Sequence, residues 1–243
     1  MKRLSGWDAF LLYSETPNVH MHTLKIAVID LAGLGDRTFG IDEFRRVLRE
    51  RLHKLDPFGY QLVDIPFKFH HPMWREHAEV ELEYHVRPWR VAAPGGRREL
   101  DEAIGEIAST PLDRSRPLWE MYLVEGLANG RVAVVGKIHH ALADGVASAN
   151  LLALGMDITE SPQRDHDLYV TDPAPSRGQL VRSAFADHLR QIARFPGVVK
   201  YTADGMARVR KSSRKLSPEL TRPFTPPPSF MNHVITPERR FAT

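Results

Sequence analysis

The chain contains no cysteine. Disulfide staples, thiolate nucleophiles and cysteine-type zinc sites are therefore excluded, and any nucleophilic chemistry must use an oxygen or activate an acceptor directly. Long apolar runs are also missing. No stretch of the length needed to cross a bilayer occurs, so no transmembrane helix is expected. The N-terminus begins with Met1, Lys2 and Arg3, but Asp8 interrupts the apolar stretch and no small-residue cleavage site follows. It reads as folded protein, not as a signal peptide. A large excess of one charge is lacking too: the formal net charge is +3. The pI of about 9.2 raises the reading of a DNA-binding regulator. The basic residues lie mainly late in the chain, however, and no helix-turn-helix is visible, so nucleic acid is not an expected partner. Internal repeats are absent.

What is present is enough to build a core. The 243 residues are 42% hydrophobic, which suits one large domain or two small ones. Up to about residue 160, strand-like and helix-like segments alternate, and a mixed α/β fold with a sheet flanked by helices is expected. Strands are expected at 22–31, 60–65, 80–86, 121–125 and 132–138. Residues 128–130 (Ala-Asn-Gly) suggest a hairpin between the last two. Ile41, Phe44, Leu48, Leu52 and Leu55 recur at helical spacing. Leu100, Ile104 and Ile107 do the same over 99–109, and a further helix is expected over 145–156.

The character then changes. Residues 158–180 are polar and proline-containing, and two weakly apolar helical stretches follow, about 179–194 and 198–211. Proline is too frequent over 216–229 for regular structure. The resulting division is a domain at 1–160, a linker with basic amphipathic helices at 161–232, and the start of something further at 233–243.

Twelve histidines is a high count. The pair that stands out is His139-His140, at the end of the apolar run 132–138 and followed by Ala-Leu-Ala-Asp144-Gly145. Side chains alternate across a strand, so only one of the two is expected to face a given cavity. Asp144-Gly145 is a tight-turn signal, and Asp144 can cap a helix starting there. A neutral imidazole at such a place can take a proton from an alcohol. On the residues alone, an isolated histidine pair is more often structural than catalytic.

The full heptapeptide changes that balance. HHALADG resembles the HHxxxDG signature of the CoA-dependent acyltransferase superfamily. The segment Pro111-Leu-Asp-Arg-Ser-Arg-Pro117-Leu118-Trp119-Glu120 is similar to the PLW-containing segment of the bacterial wax ester synthase/diacylglycerol acyltransferase family. Pro94-Gly95-Gly96, His85-Val86-Arg87, the Asp8 region and Pro17-Asn-Val-His-Met21-His22 fit the same family in the same order. The terminal Arg239-Arg240-Phe241-Ala242 resembles the entry to that family's second half.

The resemblance implies an O-acyltransferase that moves a fatty acyl group from acyl-CoA to diacylglycerol or a long-chain alcohol. It makes His140 the general base and His139 a residue that shapes the site. Asp144 becomes a structural residue pairing with an arginine, and Gly145 the one that lets the backbone turn. Pro117, Leu118 and Trp119 support the site by packing. Acyl-CoA is a substrate, and no cofactor or metal is implied. The family also has a second half closing a tunnel over the site. An Asn-Asp pair typical of that half does not occur here. A C-terminal half-domain is therefore an expected partner. A catalytically incomplete half acting as a partner- or lipid-binding module is the alternative.

The other histidines are read as structural. His70-His71 lack a downstream Asp-Gly. His20 and His22 share a strand face, but no third metal ligand is apparent. The basic residues Arg190, Arg194, Lys200 and Arg208, interleaved with Leu189, Ile192, Phe195 and Val199, describe either a solvated helix face or a helix lying on an anionic membrane. The expected location is cytoplasmic, with peripheral contact at the inner membrane face or a lipid droplet.

Overall fold

The computed structural model describes residues 1–34, 39–143, 147, 150–151, 154–155, 168–213 and 235–242. The chain forms two compact units. One comprises Met1–Asp64, His71–Pro175 and Ile235–Thr243; the other comprises Ile65–His70 and Ser176–Val234.

The first unit is mixed α/β. In chain order it holds β1 (Lys2–Arg3), α1 (Gly6–Ser14), β2 (His22–Asp30), α2 (Ile41–Arg51), β3 (Gln61–Val63), β4 (Met73–Arg75), α3 (Leu82–His85), β5 (Val86–Arg90), α4 (Arg97–Ser109), β6 (Trp119–Glu125) and β7 (Arg131–His139). A four-stranded sheet runs β2-β7-β6-β5, and a small three-stranded sheet runs β1-β4-β3. In the larger sheet β2, β7 and β6 are antiparallel neighbours, while β5 is parallel to β6. The β6–β7 hairpin turns through Ala128–Gly130, as the sequence suggests; Asn129 and Gly130 both take positive φ there.

Strand alternation divides the core between the two faces of this sheet. Trp119, Met121 and Ile138 pack with Leu48 and Leu52 from the α2 region. Tyr122, Val124, Ala133 and Val135 pack with Leu100, Ile104 and Ile107 of α4. Each fully buried Leu or Ile contributes about 1.5–3 kcal/mol by leaving water. Helix α1 starts with a capping box: Asp8 N–H donates to Ser5 Oγ, and Ser5 N–H donates to the Asp8 carboxylate. Helix α4 needs Gly105, because a Cβ there would lie 2.8 Å from the Arg239 carbonyl oxygen. The 235–242 segment lies against α4 at that point, with Arg239 N–H donating to Ser109 Oγ.

Two expectations are corrected. The strand over 80–86 is instead one turn of helix, α3, leading into β5. The alternation of Val80, Leu82, Tyr84 and Val86 mimics a strand, but burial of Leu82 and His85, three apart, selects a helical turn. Arg45 ties that turn down by donating to the carbonyls of Glu83 and Val86. The two helical stretches at 179–194 and 198–211 are one helix of the second unit, α5 (Arg177–Ser213), with Pro196 inside it. A proline removes only one donor of the ladder, and the flanking turns continue it. Much of the helix expected over 145–156 lies outside the described residues, including 145–146, 148–149, 152–153 and 156.

Candidate active site

Strand β7 delivers the histidine pair to the edge of the sheet core. His139 is its last residue and is fully buried, whereas His140 is partly exposed. Both are held by backbone bonds before their rings are considered. His139 N–H donates to the Leu118 carbonyl at 3.0 Å, and His140 N–H donates to the Met21 carbonyl at 2.8 Å. The chain then turns. Leu142 N–H donates to the His139 carbonyl at 2.9 Å, and Ala141 N–H donates to His139 Nδ1 at 3.0 Å.

That last bond decides the ring's tautomer. Nδ1 is an acceptor, so in the neutral ring the proton sits on Nε2. His139 Nε2 faces Glu15 Oε2 at 3.7 Å, too long for a hydrogen bond. Glu15, the C-cap residue of α1, is itself nearly buried. Its Oε2 accepts from Arg114 Nη2 at 2.8 Å and Nε at 3.2 Å, and its Oε1 accepts from Met21 N–H at 3.2 Å. Burial pushes the Glu15 carboxyl up, but His139, Arg114 and the Met21 N–H outweigh it and hold the group at about 2.

Pro117, Leu118 and Trp119 are all buried. Trp119 is stacked between Phe58 and His85, each with its ring centroid 4.4 Å away. Its Nε1–H donates to the Phe58 carbonyl at 2.8 Å, and His85 Nδ1 donates to the Trp119 carbonyl at 2.7 Å. Burial pushes His85 down to about 4, so it is neutral at ordinary pH. Leu118 is fully buried among Leu4, Leu12, Trp74 and Leu112. The segment thus reaches the histidine pair through a backbone carbonyl.

Asp144 and Gly145 lie outside the described residues. His20 and His22 converge on one atom, the Ala108 carbonyl at the end of α4, at 3.3 Å and 3.0 Å. Burial, followed by repulsion from Lys137, pushes His22 down to about 4. His71 pairs with the Tyr13 hydroxyl, and His70 with Gln191. Among the described residues, no group of three or more His, Cys, Asp or Glu is placed to hold a metal ion.

Sequence reasoning missed Glu15 and Arg114. Glu15 lies outside the quoted motifs, Arg114 lies inside the segment that leads into Pro117-Leu118-Trp119 with nothing to mark its partner, and the two are 99 positions apart. It also missed the environment of Lys137, which is fully buried beside Glu120. An isolated lysine inside an otherwise apolar strand was the available signal.

A family model described as the wax ester synthase/diacylglycerol acyltransferase catalytic domain matches residues 4–243. A Mycobacterium tuberculosis protein named for diacylglycerol O-acyltransferase activity is 70% identical over 244 residues, 100% of this chain and 51% of that protein. Another from the same organism, named for the same activity, is 28% identical, and there the match covers 98% of this chain and 90% of that protein. The chain spans about half the length of its 70% identical relative and of others at 34–35% identity. A solved wax ester synthase/diacylglycerol acyltransferase from Marinobacter aquaeolei VT8 matches with a TM-score of 0.52 and 28% identity, over 63% of this chain and 36% of that one. The first condensation domain of the calcium-dependent antibiotic synthetase, at 16% identity and a TM-score of 0.51 over 63% of this chain and 36% of that one, shares the fold alone.

Proposed function

Because this chain belongs to the wax ester synthase/diacylglycerol acyltransferase family, we propose that it carries the general base of an O-acyltransferase, His140. The donor is acyl-CoA, and the acceptor is diacylglycerol or a long-chain alcohol. The imidazole takes the acceptor's hydroxyl proton as the oxygen attacks the thioester carbonyl. The C–S bond then breaks, the CoA sulfur leaves with its electron pair, and the proton passes to it. No covalent enzyme intermediate is needed. The remaining half of the enzyme supplies the wall that excludes water.

One observation carries this reading. Of two adjacent histidines, His139 is fully buried with its ring tied into the fold, and His140 is the one left partly exposed. The test is His140→Ala in a preparation that contains both halves of the enzyme. Transfer from acyl-CoA should be abolished; full retained activity would sink the mechanism.

A second role has its own support. Helix α5 exposes Val181, Phe185, Leu189, Ile192, Phe195 and Val199. At 100° per residue these fall on one stripe, while Arg182, Arg190, Lys200 and Arg208 fall beside and behind it. Cations flanking an apolar stripe suit a helix lying in the headgroup region of an anionic lipid surface. No described helix is long and apolar enough to cross a membrane. This surface would bring the chain to its lipid acceptor, and it would serve equally in a lipid-binding half without activity of its own.

A further inference from the structure

We propose that Glu15, held by Arg114, is a positioning residue for both histidines, and the proposal rests on the acyl-transfer reading above. The carboxylate reaches the pair by two routes. Its Oε2 faces the ring of His139 at 3.7 Å. Its Oε1 accepts from Met21 N–H at 3.2 Å, and the carbonyl of the same Met21 accepts from His140 N–H at 2.8 Å. One side chain therefore sets the charge facing the His139 ring and, one residue removed, the backbone position of His140.

Arg114 completes the arrangement. It grips Glu15 Oε2 through both Nε and Nη2, and its Nη2 also donates to the Leu12 carbonyl near the end of α1. A two-donor grip fixes the carboxylate plane in a way a single point charge does not. Arg114 sits in the loop that leads into Pro117-Leu118-Trp119, and Leu118 supplies the carbonyl that accepts from His139 N–H. The loop is thus tied to both sides of the same pair. Glu15 touches no reacting atom in this arrangement. It acts by keeping a base in register, and a displacement of about 1 Å in such a group costs about a hundredfold in rate.

The experiment compares wild type, Glu15→Gln, Arg114→Lys and His140→Ala in a preparation containing both halves of the enzyme. It reads kcat, KM for each substrate, the folded fraction by circular dichroism, and the imidazole nitrogen resonances. With His140→Ala inactive, Glu15→Gln should lower kcat by about tenfold to a hundredfold at near-constant KM and folded fraction. Its His139 Nε2–H resonance should shift while Nδ1 keeps the signature of an acceptor. Arg114→Lys, which keeps the charge but loses the two-donor grip, should show the same kcat-only effect at smaller size. It carries the test if Glu15→Gln does not fold. If both variants keep kcat within about twofold while His140→Ala is dead, positioning is overturned and the acyl-transfer reading stands. A fall in kcat that merely tracks the folded fraction overturns it as well. If His140→Ala stays active, the acyl-transfer reading fails. In that case an unchanged His139 resonance in Glu15→Gln also overturns the link to the ring, and a shifted one supports it.

Discussion

Glu120 and Lys137 stand directly opposite each other on β6 and β7, with Lys137 Nζ 2.8 Å from Glu120 Oε2 and both side chains buried. Neither charge is left to its partner alone. Glu120 also accepts from Arg87 at 3.0 Å and from the Tyr122 hydroxyl at 2.7 Å. Lys137 donates to Thr110 Oγ1 at 2.9 Å and to the Thr110 carbonyl at 3.2 Å, just past the end of α4. The pair therefore joins the sheet to α4 beneath the histidine motif. Burial pulls Lys137 down from the usual lysine range while Glu120 works against it. Burial pushes Glu120 up, but Lys137, the Tyr122 hydroxyl and Arg87 more than reverse that.

Breaking such a pair should cost more than removing it whole. Lys137→Met alone or Glu120→Leu alone should each destabilise the fold by about 3–5 kcal/mol, because one buried group loses its partner. The double change to Lys137→Met and Glu120→Leu should recover part of that loss. Urea unfolding of the three variants checks it; additive losses in the double variant would show that the two groups are not coupled.

Glu15 makes acid stability predictable in sign. Its folded-state carboxyl is held at about 2, below the ordinary value of 4.5. A depressed carboxylate stabilises the fold fully above its unfolded value. That contribution is lost progressively as pH falls from about 4.5 toward 2. Melting temperature should therefore drop over this window in wild type, and Glu15→Gln should show a shallower drop from a lower neutral-pH start. Parallel curves for the two proteins would contradict the assignment.

The Phe58–Trp119–His85 stack should behave as a packing element. Trp119→Ala should destabilise by about 3–5 kcal/mol, because a fully buried indole leaves a cavity and the Phe58 carbonyl loses its donor. Trp119→Phe keeps most of the ring contacts and should cost less than half as much. Chemical denaturation measures both. Equal losses would mean that the indole N–H, not the stack, dominates.

Helix α5 yields a prediction independent of catalysis. The chain should co-float with vesicles of phosphatidylcholine and phosphatidylglycerol, and much less with phosphatidylcholine alone. Raised salt should weaken the interaction, since exposed charges are screened over about 8–10 Å at physiological ionic strength. Phe185→Ser combined with Ile192→Ser should reduce binding by about tenfold or more, because both side chains are exposed on the same stripe. Binding that ignores both the substitutions and the salt would assign the helix another role.

What the sequence determined by itself was whatever depends on neighbours along the chain. The period of Leu100, Ile104 and Ile107 specifies α4, because one face of a helix must be apolar to pack on a sheet. The apolar run ending in His139-His140, with a turn of Ala, Asn and Gly before it, specifies a strand of a hairpin with the motif at its end. Local pattern misled where two structures share it, as at 80–86, where alternation suited a strand and burial three residues apart chose a helical turn. Only the tertiary structure decided which histidine is buried, and which distant groups hold the pair. Glu15, Met21, Arg114 and Leu118 reach it through space. A carboxylate or a backbone carbonyl acquires such a role from distance and burial, and neither quantity is written in the order of the residues.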